Sequence, residues 1–251
     1  MDHAQTDAAI AALVSARRSR TRITSLPDGS HPADVAEALA LQDAIIARLG
    51  ERVAGWKVAI SKDDEVMRGA IIGSRMLQSP ASLAASDVPL LGIEGEIAFL
   101  FNRDLPPRGT DYSGEDVAKA VTAVVGIEIV DSRFQDYANS PFLDRVADCM
   151  SNGAFIVGTH CPDWQSTDLP KLQATLRVNG DIAVQKTGGH VAGDPILPAI
   201  ALVNTLRKTV GVAAGQIITT GTYTGLHFAK PGDSITVEFT RFGTAEMTAT
   251  R

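Results

Sequence analysis

The stretch Gly92-Ile93-Glu94-Gly95-Glu96-Ile97-Ala98-Phe99-Leu100-Phe101 sets two carboxylates at i and i+2 inside an apolar run. Side chains on a strand alternate faces, so Glu94 and Glu96 point one way and Ile93, Gly95 and Ile97 the other. Like charges held that close repel, and burying them unpaired is costly. A bound cation is the simplest reason for such a pair, which directs attention to further oxygen ligands. A second apolar segment, Val124-Val125-Gly126-Ile127-Glu128-Ile129-Val130, carries Glu128 between two isoleucines on the opposite face. A lone strand glutamate reads as a solvated-face residue. Three in two strongly apolar strands read equally well as a metal site.

The composition bounds the rest. A chain of 251 residues, 45% hydrophobic and 21% charged, has the make-up of a soluble globular protein with one sizeable domain or a domain plus a helical extension. A formal net charge of -6 offers no basic field for nucleic acid and no polybasic membrane patch. No apolar run reaches the roughly 18 residues of a membrane helix. The first residues lack a signal-peptide core, and Asp2 and Asp7 argue against a transit peptide. Cys149 and Cys161 show neither metal-ligand spacing nor a disulfide framework. A cytoplasmic protein is expected.

Residues 6–19 read as a helix with an apolar patch at Ile10, Leu13 and Val14. Arg17, Arg18 and Arg20 near its end suit the helix dipole. Val35, Ala38, Leu39, Gln42, Ile45, Ile46 and Leu49 recur at helical steps, with Gly50 as the stop. Residues 1–50 are therefore expected to form a helical layer on a core of residues 51–251. Val53 to Ile60 reads as a strand holding Lys57, which is either on a wetted face or aimed into a site. Ser61 to Arg68 is polar and could start a helix. Ser113 and Asp116 signal a helix start, with helix expected to about Thr122.

Further along, Asp148-Cys149-Met150-Ser151-Asn152-Gly153 is a polar turn entering a strand, and Asn179-Gly180 marks a hairpin. The glycine-rich segment 187–195 lacks the features of a phosphate-binding loop. Asp194 and Pro195 there read as a helix start, and that helix stops near Gly211. The last part is strand-rich. Glycines among small hydroxyl residues at 219–225 let a backbone approach a ligand, or form a bulged barrel corner. His227 reads as structural rather than as a proton shuttle.

Gly-Trp-Lys-Val, Gly-Ile-Glu-Gly-Glu-Ile-Ala-Phe, Glu-Ile-Val-Asp-Ser-Arg, Ser-Asn-Gly-Ala-Phe and Thr-Gly-Thr-Tyr-Thr-Gly occur here in this order. Together they resemble the 2-keto-4-pentenoate hydratase and 4-oxalocrotonate decarboxylase family of the fumarylacetoacetate hydrolase superfamily. The resemblance runs from about Gln42 to Phe239 and is most specific in its Glu-x-Glu pair and third glutamate. It implies an α+β fold, a mixed β-roll core of the fumarylacetoacetate hydrolase C-terminal type with an N-terminal helical layer. It implies Mg²⁺ or Mn²⁺ held by Glu94, Glu96 and Glu128, and hard carboxylate oxygens suit those ions. Lys57 matches the family's active-site lysine. Ser151, Thr220 and Thr222 are candidates for binding substrate or orienting water.

Many members carry an acidic or aromatic residue before the glycine matching Gly73. Here Ala70-Ile71-Ile72-Gly73-Ser74-Arg75 contains no acid, and Arg75 becomes a candidate for a second substrate carboxylate. The expected activity is hydration of a 2-hydroxy-2,4-dienoate in aromatic-compound catabolism. A 4-oxalocrotonate-type decarboxylase and a non-catalytic partner subunit are the alternatives. A homo-oligomer is expected from the relatives.

Overall fold

A computed structural model describes residues 1–251. Two helices come first, α1 (His3–Ser19) and α2 (Val35–Leu49). The first begins three residues earlier than its apolar periodicity suggests. Asp2 caps it by accepting from the Gln5 N–H, while the Gln5 side chain reaches back to the Asp2 N–H. Asp34 caps the second, and Gly50 ends it in the left-handed conformation (φ 72°). Leu13, Leu41 and Ile45 from these helices pack with Met67, Phe134 and Val146 in a cluster of 11 buried residues.

The strands follow as β1 (Val53–Ile60), β2 (Val66–Ile72), β3 (Met76–Gln78), β4 (Ala81–Ala84) and β5 (Gly92–Phe101). After α3 (Gly114–Ala118) comes β6 (Val121–Val130), and after α4 (Phe142–Ala147) come β7 (Asn152–Cys161), β8 (Gln173–Val178) and β9 (Asp181–Thr187). Helix α5 (Ile196–Leu206) precedes β10 (Ile217–Thr222), β11 (His227–Phe228), β12 (Ser234–Phe239) and β13 (Gly243–Thr250). One eight-stranded mixed sheet has the order β2-β1-β10-β5-β6-β7-β3, with β11 also beside β5. A five-stranded sheet, β4-β13-β12-β8-β9, supplies Ile235, Val237 and Phe239 to the main core, where they join Ile93, Ile97, Ile127 and Ile129. The isoleucine faces of β5 and β6 are thereby covered, and the glutamate faces are left for the site. This is the mixed α+β, curled-sheet architecture expected from the sequence.

Three local readings change. Ser61 to Arg68 is not a helix start. It turns at 61–64 and then pairs as β2 against β1, with Lys57 opposite Gly69. Helix α3 ends at Ala118 rather than near Thr122, because the β-branched run from Val121 joins the ladder with β5. Helix α5 ends at Leu206, and Gly211 (φ 68°) donates its N–H back to the Leu206 carbonyl at 2.8 Å. The Asn179-Gly180 turn joins β8 and β9 with positive φ at both residues (54° and 89°), as a two-residue hairpin requires.

Candidate metal centre and active-site cleft

Strands β5 and β6 run antiparallel with Glu94 directly opposite Glu128 and Glu96 opposite Gly126. The period-two alternation therefore gathers all three carboxylates on one face, and one oxygen from each lies within 4.8 Å of the others. Glu96 and Glu128 are buried, and Glu94 is half-buried. Lys57 approaches from β1, its Nζ 2.7 Å from a Glu128 oxygen. Three carboxylates facing one ammonium leave two negative charges, the amount a divalent cation balances.

Neighbouring groups hold the carboxylates in place. Asn152 Nδ2 donates to Glu128 Oε1 at 3.1 Å. The Thr219 hydroxyl donates to Glu96 Oε2, and the Gly221 N–H reaches the same oxygen at 3.3 Å. That second donor depends on a bulge between Thr219 and Thr222, where Gly221 takes φ 116°. Gly69 has a comparable role beside the lysine. A Cβ there would sit 2.4 Å from the Cys149 carbonyl oxygen and 2.8 Å from Lys57 Cγ, so only glycine leaves the lysine stem its path.

The electrostatics follow from this crowding. Burial pushes the Glu96 carboxyl up to about 8, helped by the charges of Glu128 and Glu94. Burial and then Glu128 push Glu94 up to about 7. Burial alone would lower the Lys57 ammonium. The charges of Glu128 and Glu94, the hydrogen bond to Glu128 and the charge of Glu96 outweigh it and hold Lys57 above the usual lysine value. In the metal-free protein Lys57 is thus held as the ammonium, a hydrogen-bond donor to Glu128. A hard divalent cation fits this donor set, and its arrival would displace the protons that relieve the carboxylate repulsion.

The cluster forms the floor of a cleft of about 550 Å³. Thr220 and Thr222 stand on its wall with Lys57 and the glutamates. Thr220 Oγ1 donates to the Ile97 carbonyl at 3.1 Å, which leaves its lone pairs to accept from a ligand or water. The Thr222 hydroxyl has no such freedom. It donates to Gly95 O and accepts from the N–H groups of Thr224 and Gly225, closing the 222–225 turn.

Ser151 and Arg75 are not among the residues lining this cleft. Ser151 is the last of three residues with positive φ (Cys149 55°, Met150 51°, Ser151 59°), a run that brings Met150 to the cleft wall and buries the Ser151 hydroxyl without a partner. Arg75 lines a different cavity and pairs with Asp87 at 3.3 Å. The segment without an acid also lies elsewhere. Ile71 is buried against Ala98, Val124, Phe155 and Ile217, and Ile72 lines the Arg75 cavity. Tyr223 is buried with its hydroxyl donated to Leu169 O, and His227 pairs beside Ile93 in β11.

The remaining wall is apolar, with Ile60, Met150, Val191, Leu197 and Pro198, and Lys57 is its only cation. Sequence reasoning did not place these residues at the site. They come from separated segments that only the folded chain brings together, and none carries a chemical signature.

Fold and carboxylate cluster together define a member of the fumarylacetoacetate (FAA) hydrolase C-terminal family, whose model matches residues 66–250. The chain belongs to that family and is an enzyme of it. It is similar to the 2-hydroxyhexa-2,4-dienoate hydratase of Comamonas testosteroni, at 32% identity over 79% of this chain and 78% of the relative. The 2-keto-4-pentenoate hydratase of Paraburkholderia xenovorans (strain LB400) is 28% identical over 91% of this chain and 89% of its own. In fold, the chain matches a 4-oxalocrotonate decarboxylase from Pseudomonas putida G7, solved with magnesium and adipate. That TM-score is 0.85 at 23% identity, covering 99% of this chain and 98% of the other. No helix here is long and apolar enough to cross a membrane.

Proposed function

We propose that the chain is a metal-dependent hydratase that adds water to a 2-hydroxy-2,4-dienoate, giving a 4-hydroxy-2-oxo acid in aromatic-compound catabolism. The observation that carries this reading is the asymmetry of the cleft, with three carboxylates and Lys57 at one end and an apolar wall at the other. Such a cleft suits a substrate with one polar 2-oxo acid head and an uncharged tail. Two relatives whose names describe dienoate or pentenoate hydratases support the same direction.

Glu94, Glu96 and Glu128 would hold Mg²⁺ or Mn²⁺, which when bound supplies an electrophile for the carboxylate and oxo oxygens of a 2-oxo acid. Lys57, held as the ammonium beside Glu128, donates toward the oxygen on carbon 2, where negative charge gathers as the dienol proton is given up. With 2-hydroxypenta-2,4-dienoate, that proton is balanced by one gained at carbon 5, which leaves a 3-ene-2-one. Water then bonds through oxygen to carbon 4 and gives up one of its protons, and carbon 3 gains one in balance. Thr220 accepts a hydrogen bond from that water and orients it, and the apolar wall limits other water near the tail. A homo-oligomer in the cytoplasm belongs to the same proposal.

The decarboxylase reading draws support from the shared fold, but its substrate carries a second carboxylate, and no second cation lines the cleft. The test is turnover of freshly generated 2-hydroxypenta-2,4-dienoate with Mg²⁺ or Mn²⁺, against EDTA-treated protein and Glu96→Ala. Metal-dependent loss of the dienol absorbance with 4-hydroxy-2-oxopentanoate as product is expected. Release of carbon dioxide from a dicarboxylic 2-oxo acid, with no hydration of the dienoate, would overturn the proposal in favour of decarboxylation.

A further inference from the structure

The cavity that holds Arg75, about 370 Å³, lies where the last turn of α1 meets the loops after β2, β4 and β6. Six arginines line it, namely Arg17, Arg18, Arg20, Arg22, Arg75 and Arg133. Three acids, Glu51, Asp87 and Asp131, line it as well. A fourth, Asp148, stands behind the wall and takes Arg17 at 2.9 Å and Arg133 at 2.7 Å. Six guanidinium groups against four carboxylates leave two positive charges in a chain whose formal net charge is -6.

The pairing is uneven. Arg133 is fully engaged by Asp148, Asp131 and the Asn152 carbonyl. Arg20 and Arg75 share Asp87, at 2.5 and 3.3 Å. Arg17 has a side chain only 10% exposed, and its Nε–H has no hydrogen-bond partner. Arg22 pairs through Nη2 with Asp131 at 3.0 Å, and its Nε–H is likewise buried and unpaired. Buried donors on charged groups are rarely left without an acceptor. A helix dipole accounts for cations at the end of α1, but not for Arg22, Arg75 and Arg133 gathered from other segments around the same space.

We propose that this cavity is a binding site for a small dianion with several oxygen acceptors, of the phosphate or short dicarboxylate kind. Its two charges complete the local count, and planar guanidinium forks match its oxygens. The site is separate from the metal cleft, with which it shares no lining residue.

The test is isothermal titration of the EDTA-treated full chain with inorganic phosphate and, separately, with succinate, each at constant ionic strength against sodium chloride. Saturable binding of one equivalent of either dianion, absent with chloride, is expected, and the stronger of the two identifies the source. Arg22→Gln should weaken it at least roughly tenfold. Circular dichroism would check that variant's fold, and Arg75→Gln serves if it is impaired. Lys57→Met, in the other cavity, should bind the dianion as the unaltered chain does. No binding beyond chloride, equal binding by the folded arginine variants, or loss in Lys57→Met would each overturn the proposal.

Discussion

The two cavities treat charge in opposite ways. In the metal cleft, like charges are concentrated on rigid strands and given too few partners, so Glu94 and Glu96 are driven to hold protons near neutral pH. In the arginine cavity, opposite charges arrive from six segments and neutralise one another in part, leaving a surplus of two. The first arrangement is costly without a cation and is built where β5 and β6 fix their register over ten residue pairs. The second ties the N-terminal helices to the sheet, with Arg17 and Arg22 of the N-terminal segment gripping Asp148 and Asp131 of the core. Surplus charge on a stiff support suits chemistry. Surplus charge on a junction of loops suits binding.

The largest expected effect separates the cleft from every other acidic group in the chain. Glu128→Gln removes a proposed metal ligand and the partner of Lys57 together, and should lower kcat/KM for the proposed dienoate substrate by roughly 10³-fold or more. Metal affinity by titration calorimetry should fall with it. Lys57→Met keeps the stem and deletes the ammonium. A loss of roughly 10²-fold in kcat is expected, with metal still bound, as for removal of a donor aimed at developing negative charge. Steady-state kinetics at saturating Mg²⁺ reads both.

A third substitution moves a feature of one cavity into the other. Leu197 lies in the first turn of α5 on the apolar wall of the cleft. Leu197→Arg would give the wall the second cation it lacks. The ratio of kcat/KM for a dicarboxylic 2-oxo-enoate over the monocarboxylic one should rise by roughly tenfold. An unchanged ratio would mean that the tail does not lie along α5.

Much of the cleft floor was legible in the sequence because strand alternation is a local rule. Glu94 and Glu96 sit in an apolar run whose period fixes their common face, Glu128 and Lys57 fall in strands of the same kind, and the β5–β6 register brings Glu128 beside the pair. The remainder depended on pairing between distant segments. That Gly69 faces Lys57 follows from the β1–β2 register, and a polar segment at 61–68 read in isolation as a helix start hides that register. Arg75, a candidate for a second substrate carboxylate, ends a short turn that carries it to Asp87 and away from the cleft. Thr222 has the right residue type and the right place, but its hydrogen-bonding capacity is taken up by its own turn.

The smallest expected effect concerns stability rather than rate. In the metal-free protein, Glu96 is raised from 4.5 to about 8 and Glu94 to about 7. Between pH 4.5 and those values the unfolded chain has released protons that the folded chain still holds. The unfolded state therefore binds fewer protons, and stability falls as pH rises through that window. The Tm of EDTA-treated protein should drop by roughly a few degrees more between pH 6 and 8 than that of Glu96→Gln, which lacks the proton that Glu96 releases there. Magnesium should reverse the trend, because it binds the ionised carboxylates and its stabilisation grows as they lose protons. A scan in which Glu96→Gln and the unaltered chain show the same slope would mean that the carboxylates are already ionised and screened without metal. The contrast between a cleft of crowded like charges and a cavity of mostly paired opposite charges would then disappear.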